Sequence, residues 1–172
     1  RLLPALAASS QAVELLESAP RAIEAAPAAQ ILSVRGLLLM LAGQLQPAAE
    51  SLHRAEQLGP LGEHSVGQLA WARGEAQSAL LHAERALTVA VQTSNPFLAS
   101  LANWLRGDAQ NALGAFEEAL HSFEQALAPG VTLNLEGYFL AGSAAAHLGL
   151  GDHDRARLTA RHAIEVSRQR AH

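Results

Sequence analysis

Four evenly used glycines constrain this chain more than any other feature. Gly43, Gly74, Gly114 and Gly151 each close an apolar-periodic stretch, and five residues after each comes an alanine: Ala48, Ala79, Ala119 and Ala156. Seven residues later a second alanine follows, at Ala55, Ala86, Ala126 and Ala163. Seven residues before each glycine sits another small residue, Gly36, Gly67, Gly107 or Ala144, and between the alanine pairs lie Leu52, Ala83, Phe123 and Ala160. Four registers that agree at five positions mark an internal repeat. The spacing has a physical reading. A glycine can adopt the left-handed conformation that ends a helix without a Cβ penalty. A small residue in mid-helix lets a second helix cross closely, and bulky residues such as Leu52, Phe116 and Phe123 fill what is left.

The pattern predicts helix pairs at 28–42 with 46–58, 62–73 with 75–92, 97–113 with 115–128, and 133–149 with 152–169. A helix at 3–18 and a short one at 21–26 precede them. Gly59-Pro60, Ser94-Asn95-Pro96 and Pro129-Gly130 supply the breaks. In 115–128 the apolar stripe is Phe116, Ala119, Leu120, Phe123, Ala126 and Leu127, with Glu117, Glu118, His121, Ser122 and Glu124 expected on the wet face. The layout of small residue, turn glycine and Ala-x3-Phe-x2-Ala resembles the tetratricopeptide-repeat family over about residues 28–170. That resemblance implies an all-α fold, a right-handed superhelix (α-solenoid) of antiparallel helix pairs with about four repeats plus an N-terminal helix. Residues 1–27 are then capping or partial-repeat helices, and 28–172 an array with repeats near 28–60, 61–96, 97–130 and 131–170. The chain departs from the family pattern. The glycine spacings are 31, 40 and 37 residues, against about 34 in the consensus. Arg35 and Arg106 stand at a helix position that should be apolar, and only Pro60 keeps the expected proline register.

Composition removes several chemistries. With no Cys there are no disulfides, thiolate zinc sites or cysteine nucleophiles. With no Lys among the twelve basic residues there is no P-loop lysine and no Schiff base. A net charge of −4 disfavours direct nucleic-acid binding, and no apolar run approaches the ~20 residues of a membrane span. The absence of Cys fits a reducing, cytoplasmic setting. The opening Arg1-Leu2-Leu3-Pro4 carries no Met, and the chain reads as a piece of a larger protein.

No catalytic constellation is evident, so the expectation is a binding module and not an enzyme, with no cofactor. His-Glu-x-x-His is absent and no two His stand at i, i+4, so no metal site is expected. Asp152-His153-Asp154 reads as a helix cap. Glu117, Glu118 and Glu124 read as a solvated face. Arg157, Arg161 and Arg168 share a face of the last helix, read as a polar face or as a docking face for a neighbouring domain.

By register, the family's groove positions fall on Ser33, Leu37 and Met40; on His64, Gln68 and Trp71; on Trp104, Asp108 and Asn111; and on Tyr138, Ala141 and Leu148. Both tryptophans and the only tyrosine are among them, and such residues anchor binding surfaces. Two readings stand: a groove of aromatic and apolar character with a polar patch at Gln68, Asp108 and Asn111, or aromatic side chains that fill gaps between alanine-rich helices. The carboxylate clamp of some family members is not expected, since Ser33, Leu37, His64, Gln68 and Trp104 occupy its positions. The segment from Ala26 to Glu56 is similar to repeats of LuxR-type activators related to the maltose-regulon activator. Ala83–Val91 and Ala141–Ser167 are similar to repeats of cyclase-linked ATPase regulators. This resemblance implies a sensor module of a bacterial multidomain regulator of transcription or signalling. Its partner would be a protein, a peptide, another domain of the same chain or a small effector. The alternatives are a protein–protein interaction scaffold and a homo-oligomerisation module.

Overall fold

A computed structural model describes residues 2–18, 25–58, 62–127 and 135–169, and all regular structure among them is helical. Two compact units divide at Glu75, inside the stretch read as the second repeat. Unit 1, Arg1–Glu75, holds α1 (Leu2–Ser18), α2 (Ala25–Leu41), α3 (Leu45–Leu58) and α4 (Glu63–Ala72). Unit 2, Ala76–His172, holds α5 (Ala76–Gln92), α6 (Pro96–Ala112), α7 (Phe116–Ala126), α8 (Glu136–Gly149) and α9 (His153–Gln169). Within each unit consecutive helices pack on one another. One further contact joins alternate helices, α2 with α4 in unit 1 and α6 with α8 in unit 2.

The anchor glycines do what their spacing implies. All four have positive φ, between 73° and 78°. At Gly43 the amide donates to the Met40 carbonyl (2.9 Å) and the next amide, of Gln44, donates to Leu39 (2.9 Å). The same two bonds recur at Gly74, Gly114 and Gly151. This paired closure satisfies carbonyls that a helix end leaves open. A fifth instance was not legible in the glycine pattern. Ser94, with φ of 49°, closes α5 by Ser94 N to Val91 O (3.2 Å) and Asn95 N to Ala90 O (2.9 Å). Asn95 then caps α6, its Oδ1 accepting from the Leu98 amide at 3.0 Å, with Pro96 at the first helical position.

Helix limits follow the prediction within a few residues, with one instructive difference. Pro27 was expected to end a short helix at 21–26; instead α2 begins at Ala25 and carries Pro27 in its first turn. The amides of a first turn have no intrahelical acceptor, so proline removes nothing there. Residues 21–24 and 131–134 lie outside the described residues, as does the Gly59-Pro60 break.

The repeated alanines form the interior. Ala48, Ala55, Ala79, Ala86, Ala119, Ala126 and Ala163 are all buried. In two of the four pairs a bulky residue between the alanines, Leu52 or Phe123, wedges against a glycine. A Cβ on Gly36 would stand 2.5 Å from Leu52 Cγ, and a Cβ on Gly107 2.7 Å from the Phe123 ring. Phe123 also presses on Gly142 of α8, so one fully buried ring locks α6, α7 and α8. In unit 1 the smaller cluster of Val13, Ala29, Leu32 and Ala55, with Ile31 against it, draws α1 to α2 and α3.

The two arginines at the expected apolar position have a physical explanation in one case. Arg106 lies across α7. Its Nε donates to Ser122 Oγ (2.9 Å), a terminal nitrogen donates to Gln125 Oε1 (2.7 Å), and the Ser122 hydroxyl donates to Gln110 Oε1 (2.6 Å). Ser122, expected on the wet face, is therefore buried as the hub of this network. Burial lowers the Arg106 pKa, and the charge of Glu84 on α5 partly restores it. Arg35 leaves its buried Nε without a partner. Asp152 caps α9 as expected: its Oδ1 accepts from the Arg155 amide at 3.0 Å. No helix among the described residues is long and apolar enough to cross a membrane.

Candidate functional site: the polar stripe of the first helices

In unit 1 the register positions lie on the adjacent helices α2 and α4. Leu37 and Met40 are half-buried on α2, and the Ser33 hydroxyl turns back to the Ala29 carbonyl (2.9 Å). On α4, His64, Gln68 and Trp71 stand at i, i+4 and i+7 and share a face. Gln68 is buried with Nε2 unpartnered. His64 keeps some surface open, yet both ring nitrogens are sealed from solvent with no hydrogen bond. Burial lowers its pKa to about 4, so the ring is neutral at physiological pH. Trp71 is half-buried.

Unit 2 repeats the arrangement with different chemistry. Trp104, Asp108 and Asn111 form the i, i+4, i+7 stripe of α6. Trp104 is buried, at 8% exposure, and packs on Tyr138 and Phe139 of α8 with ring centroids 6.3 and 5.9 Å away. It is thus a wall of the α6–α8 seam more than an open anchor, while Tyr138 remains partly exposed. Burial raises the Tyr138 pKa. Asn111 fixes the other end of the seam. Its Nδ2 donates to the Gly142 carbonyl (2.9 Å), which leaves its buried Oδ1 unpartnered. Between the two ends Asp108 is partly exposed, and burial raises its carboxyl to about 7. Ala141 and Leu148 are exposed on α8.

So α6 and α8 bring Trp104, Asn111 and Tyr138 to one seam with Asp108 between. Phe139 and the Gly142 carbonyl belong to that seam and were not singled out in the sequence. Phe139 could have been found from its place one residue after Tyr138; the Gly142 carbonyl could not, since no side chain marks it. A second feature was also missed, an open cleft of about 430 Å3 between α6 and α7. It is lined by Arg106, Gln110, Glu117, Glu118, His121 and Ser122. Its inner groups are already bonded to one another, and Gln125 Nε2 donates to His121 at 2.8 Å. A guest there would have to break existing bonds. Among the described residues no three His, Asp or Glu gather as a metal site would require.

Comparison with known proteins adds no identity. No family model matches the chain, and no curated protein matches it. The functional reading therefore rests on the residues themselves.

Proposed function

We propose that this chain is a non-enzymatic helical-repeat binding module, in which each unit offers the polar stripe of its first helices to a peptide-like or small polar ligand. One observation carries the reading. Six buried side-chain polar atoms among the described residues have no partner: His64 Nδ1 and Nε2, Gln68 Nε2, Asn111 Oδ1, Arg35 Nε and Asn103 Oδ1. Four of them belong to the stripe positions derived from the repeat register. Each buried unpaired group costs about 1–3 kcal/mol, and folded proteins rarely leave them without a water or ligand to meet. The α6–α7 cleft shows that this chain can saturate a polar network; at the stripes it leaves capacity open. The resemblance to regulator repeats supplies the proposed setting, a bacterial regulator in which occupancy of the module gates an output domain.

The test is a thermal-shift screen of peptide pools, nucleotides and common metabolites against wild type and Gln68→Leu. The substitution removes an unpaired buried amide and keeps an apolar side chain, so the variant should fold with an equal or higher Tm. A ligand present at 100 times its Kd stabilises by about 2.7 kcal/mol; for a ligand of the unit 1 stripe this gain should be reduced or lost in Gln68→Leu, and for a ligand of the unit 2 stripe it should be kept. A flat screen of wild type overturns the reading. The scaffold or self-assembly alternative has its own support in apolar side chains left open on α9, Leu158 at 69% and Ile164 at 52% exposure. Light scattering that finds a monomer at every concentration removes self-assembly.

A further inference from the structure

Resting on that binding reading, we propose that the α6–α8 seam of unit 2 is a subsite for a basic group, a guanidinium or ammonium, received by the Asp108 carboxylate with Asn111 Oδ1 beside it and the Trp104 and Tyr138 rings as walls.

The seam is sided in its hydrogen bonding. Asp108 and Asn111 are three residues apart on α6, so their side chains are neighbours on one helix face. Asn111 has turned its Nδ2 to the Gly142 carbonyl, and its buried Oδ1 is left as an acceptor without a partner. Asp108 makes no hydrogen bond or ion pair with a described residue, and an ionised carboxylate is acceptor-only. The one cation near it in sequence, Arg106, is turned away to Ser122 and Gln125 of α7. No described donor bonds the Asp108 carboxylate, the Trp104 N–H and Tyr138 O–H of the walls included, and no arginine of α6 or α8 is left to compensate its charge.

A guest that supplies both answers the deficit. A guanidinium presents five N–H donors in a fixed fork that matches a carboxylate, and an ammonium presents three. The walls suit the same guest. Trp104 is held by Tyr138 and Phe139, and the partly exposed Tyr138 is an aromatic ring of the kind that attracts a cation. The raised carboxyl fits this arrangement, because burial disfavours its charge and a neighbouring cation would restore it. Neutral or anionic guests leave the carboxylate uncompensated. The unit 1 stripe, with its neutral His64 and the Gln68 amide, has no such charge preference.

The basic group has two sources, an arginine or lysine side chain of a peptide or a free small amine, and the experiment separates them. Binding of the 172-residue chain is measured by titration calorimetry and on arrays of random hexapeptides with one position fixed as Arg, Lys, citrulline or Glu. Agmatine serves as the free guanidinium. Citrulline keeps the shape of arginine and removes its charge. The expected result is that Arg and Lys peptides, or agmatine, bind wild type at least about tenfold more tightly than the citrulline and Glu counterparts, since charge-assisted bonds are roughly twice as strong as neutral ones. Asp108→Asn should lose this discrimination while its circular dichroism persists. Agmatine binding without peptide binding supports the subsite with a small amine as its guest. Equal binding of Arg and citrulline peptides, or full discrimination in Asp108→Asn, overturns the subsite and leaves the wider binding reading intact. Absence of binding by every peptide and by agmatine overturns both.

Discussion

At the scale of single residues, two half-buried ionisable groups pull stability in opposite directions as pH changes. His64 has a folded pKa of about 4, below the unfolded value of 6.5. Between these values the unfolded chain binds more protons, so stability falls as pH drops from about 6.5 to 4. Asp108 has a folded pKa of about 7, above the unfolded value of 3.8. Here the folded chain binds more protons, so stability falls as pH rises from about 4 to 7 and stays reduced above it. In wild type the two slopes oppose one another over pH 4–6.5. Asp108→Asn removes one of them. The variant should be more stable than wild type by about 1–3 kcal/mol at pH 8, a discount on the full linkage of ~1.4 kcal/mol per pKa unit because the side chain is partly exposed. The gain should shrink toward zero at pH 4, where wild-type Asp108 is itself protonated. Urea denaturation at pH 4, 6 and 8 reads this directly. A gain that is constant with pH would show that folding does not raise the pKa of Asp108.

At the scale of elements, the hairpin of α6 and α7 with α8 against it depends on one aromatic ring seated on two glycines. Gly107→Ala raises helix propensity by about 1 kcal/mol, but its methyl would stand 2.7 Å from the Phe123 ring. That ring is fully buried and Gly142 of α8 already stands against it, so it has little room to yield, and overpacking of about 1–3 kcal/mol outweighs the propensity gain. Gly107→Ala is expected to be net destabilising. Phe123→Ala should cost about 3–5 kcal/mol through lost burial and a cavity. In the double variant the new methyl enters that cavity, so the two costs should fall short of additive by about 1 kcal/mol or more. Additive costs in a double-mutant cycle would mean that the methyl at 107 does not meet Phe123. This element was legible in the sequence because small residues recur at fixed offsets, glycine or alanine before the turn and alanine after it, and each has a packing reason. The Arg106–Ser122–Gln110 network and the Ser94 turn were not, because hydrogen bonds between helices and a positive φ at a non-glycine residue leave no periodic mark. The same holds for the stripes. The register chose His64, Gln68, Asp108 and Asn111, but it could not say which of their polar atoms would be left without partners.

At the scale of the whole molecule, each unit happens to carry one tryptophan, Trp71 in unit 1 and Trp104 in unit 2. Their cores differ in kind. Unit 1 buries small and aliphatic side chains such as Ala48, Leu52, Ala55 and Leu69. Unit 2 buries Trp104, Phe123 and Phe139 as well as its alanines, and large aromatic side chains contribute the most apolar area per residue. Among the described residues unit 1 also carries four of the six buried polar atoms without a protein partner, on Arg35, His64 and Gln68, against two in unit 2. Repeat proteins are stabilised by local and nearest-neighbour terms, so such differences need not average over the chain. Trp71→Phe leaves fluorescence that reports on unit 2, and Trp104→Phe leaves fluorescence that reports on unit 1. The expected result in urea is that the Trp71 signal changes at a lower midpoint than the Trp104 signal. A Trp104 midpoint at or below that of Trp71 would mean that aromatic burial in unit 2 does not set the order in which the chain comes apart.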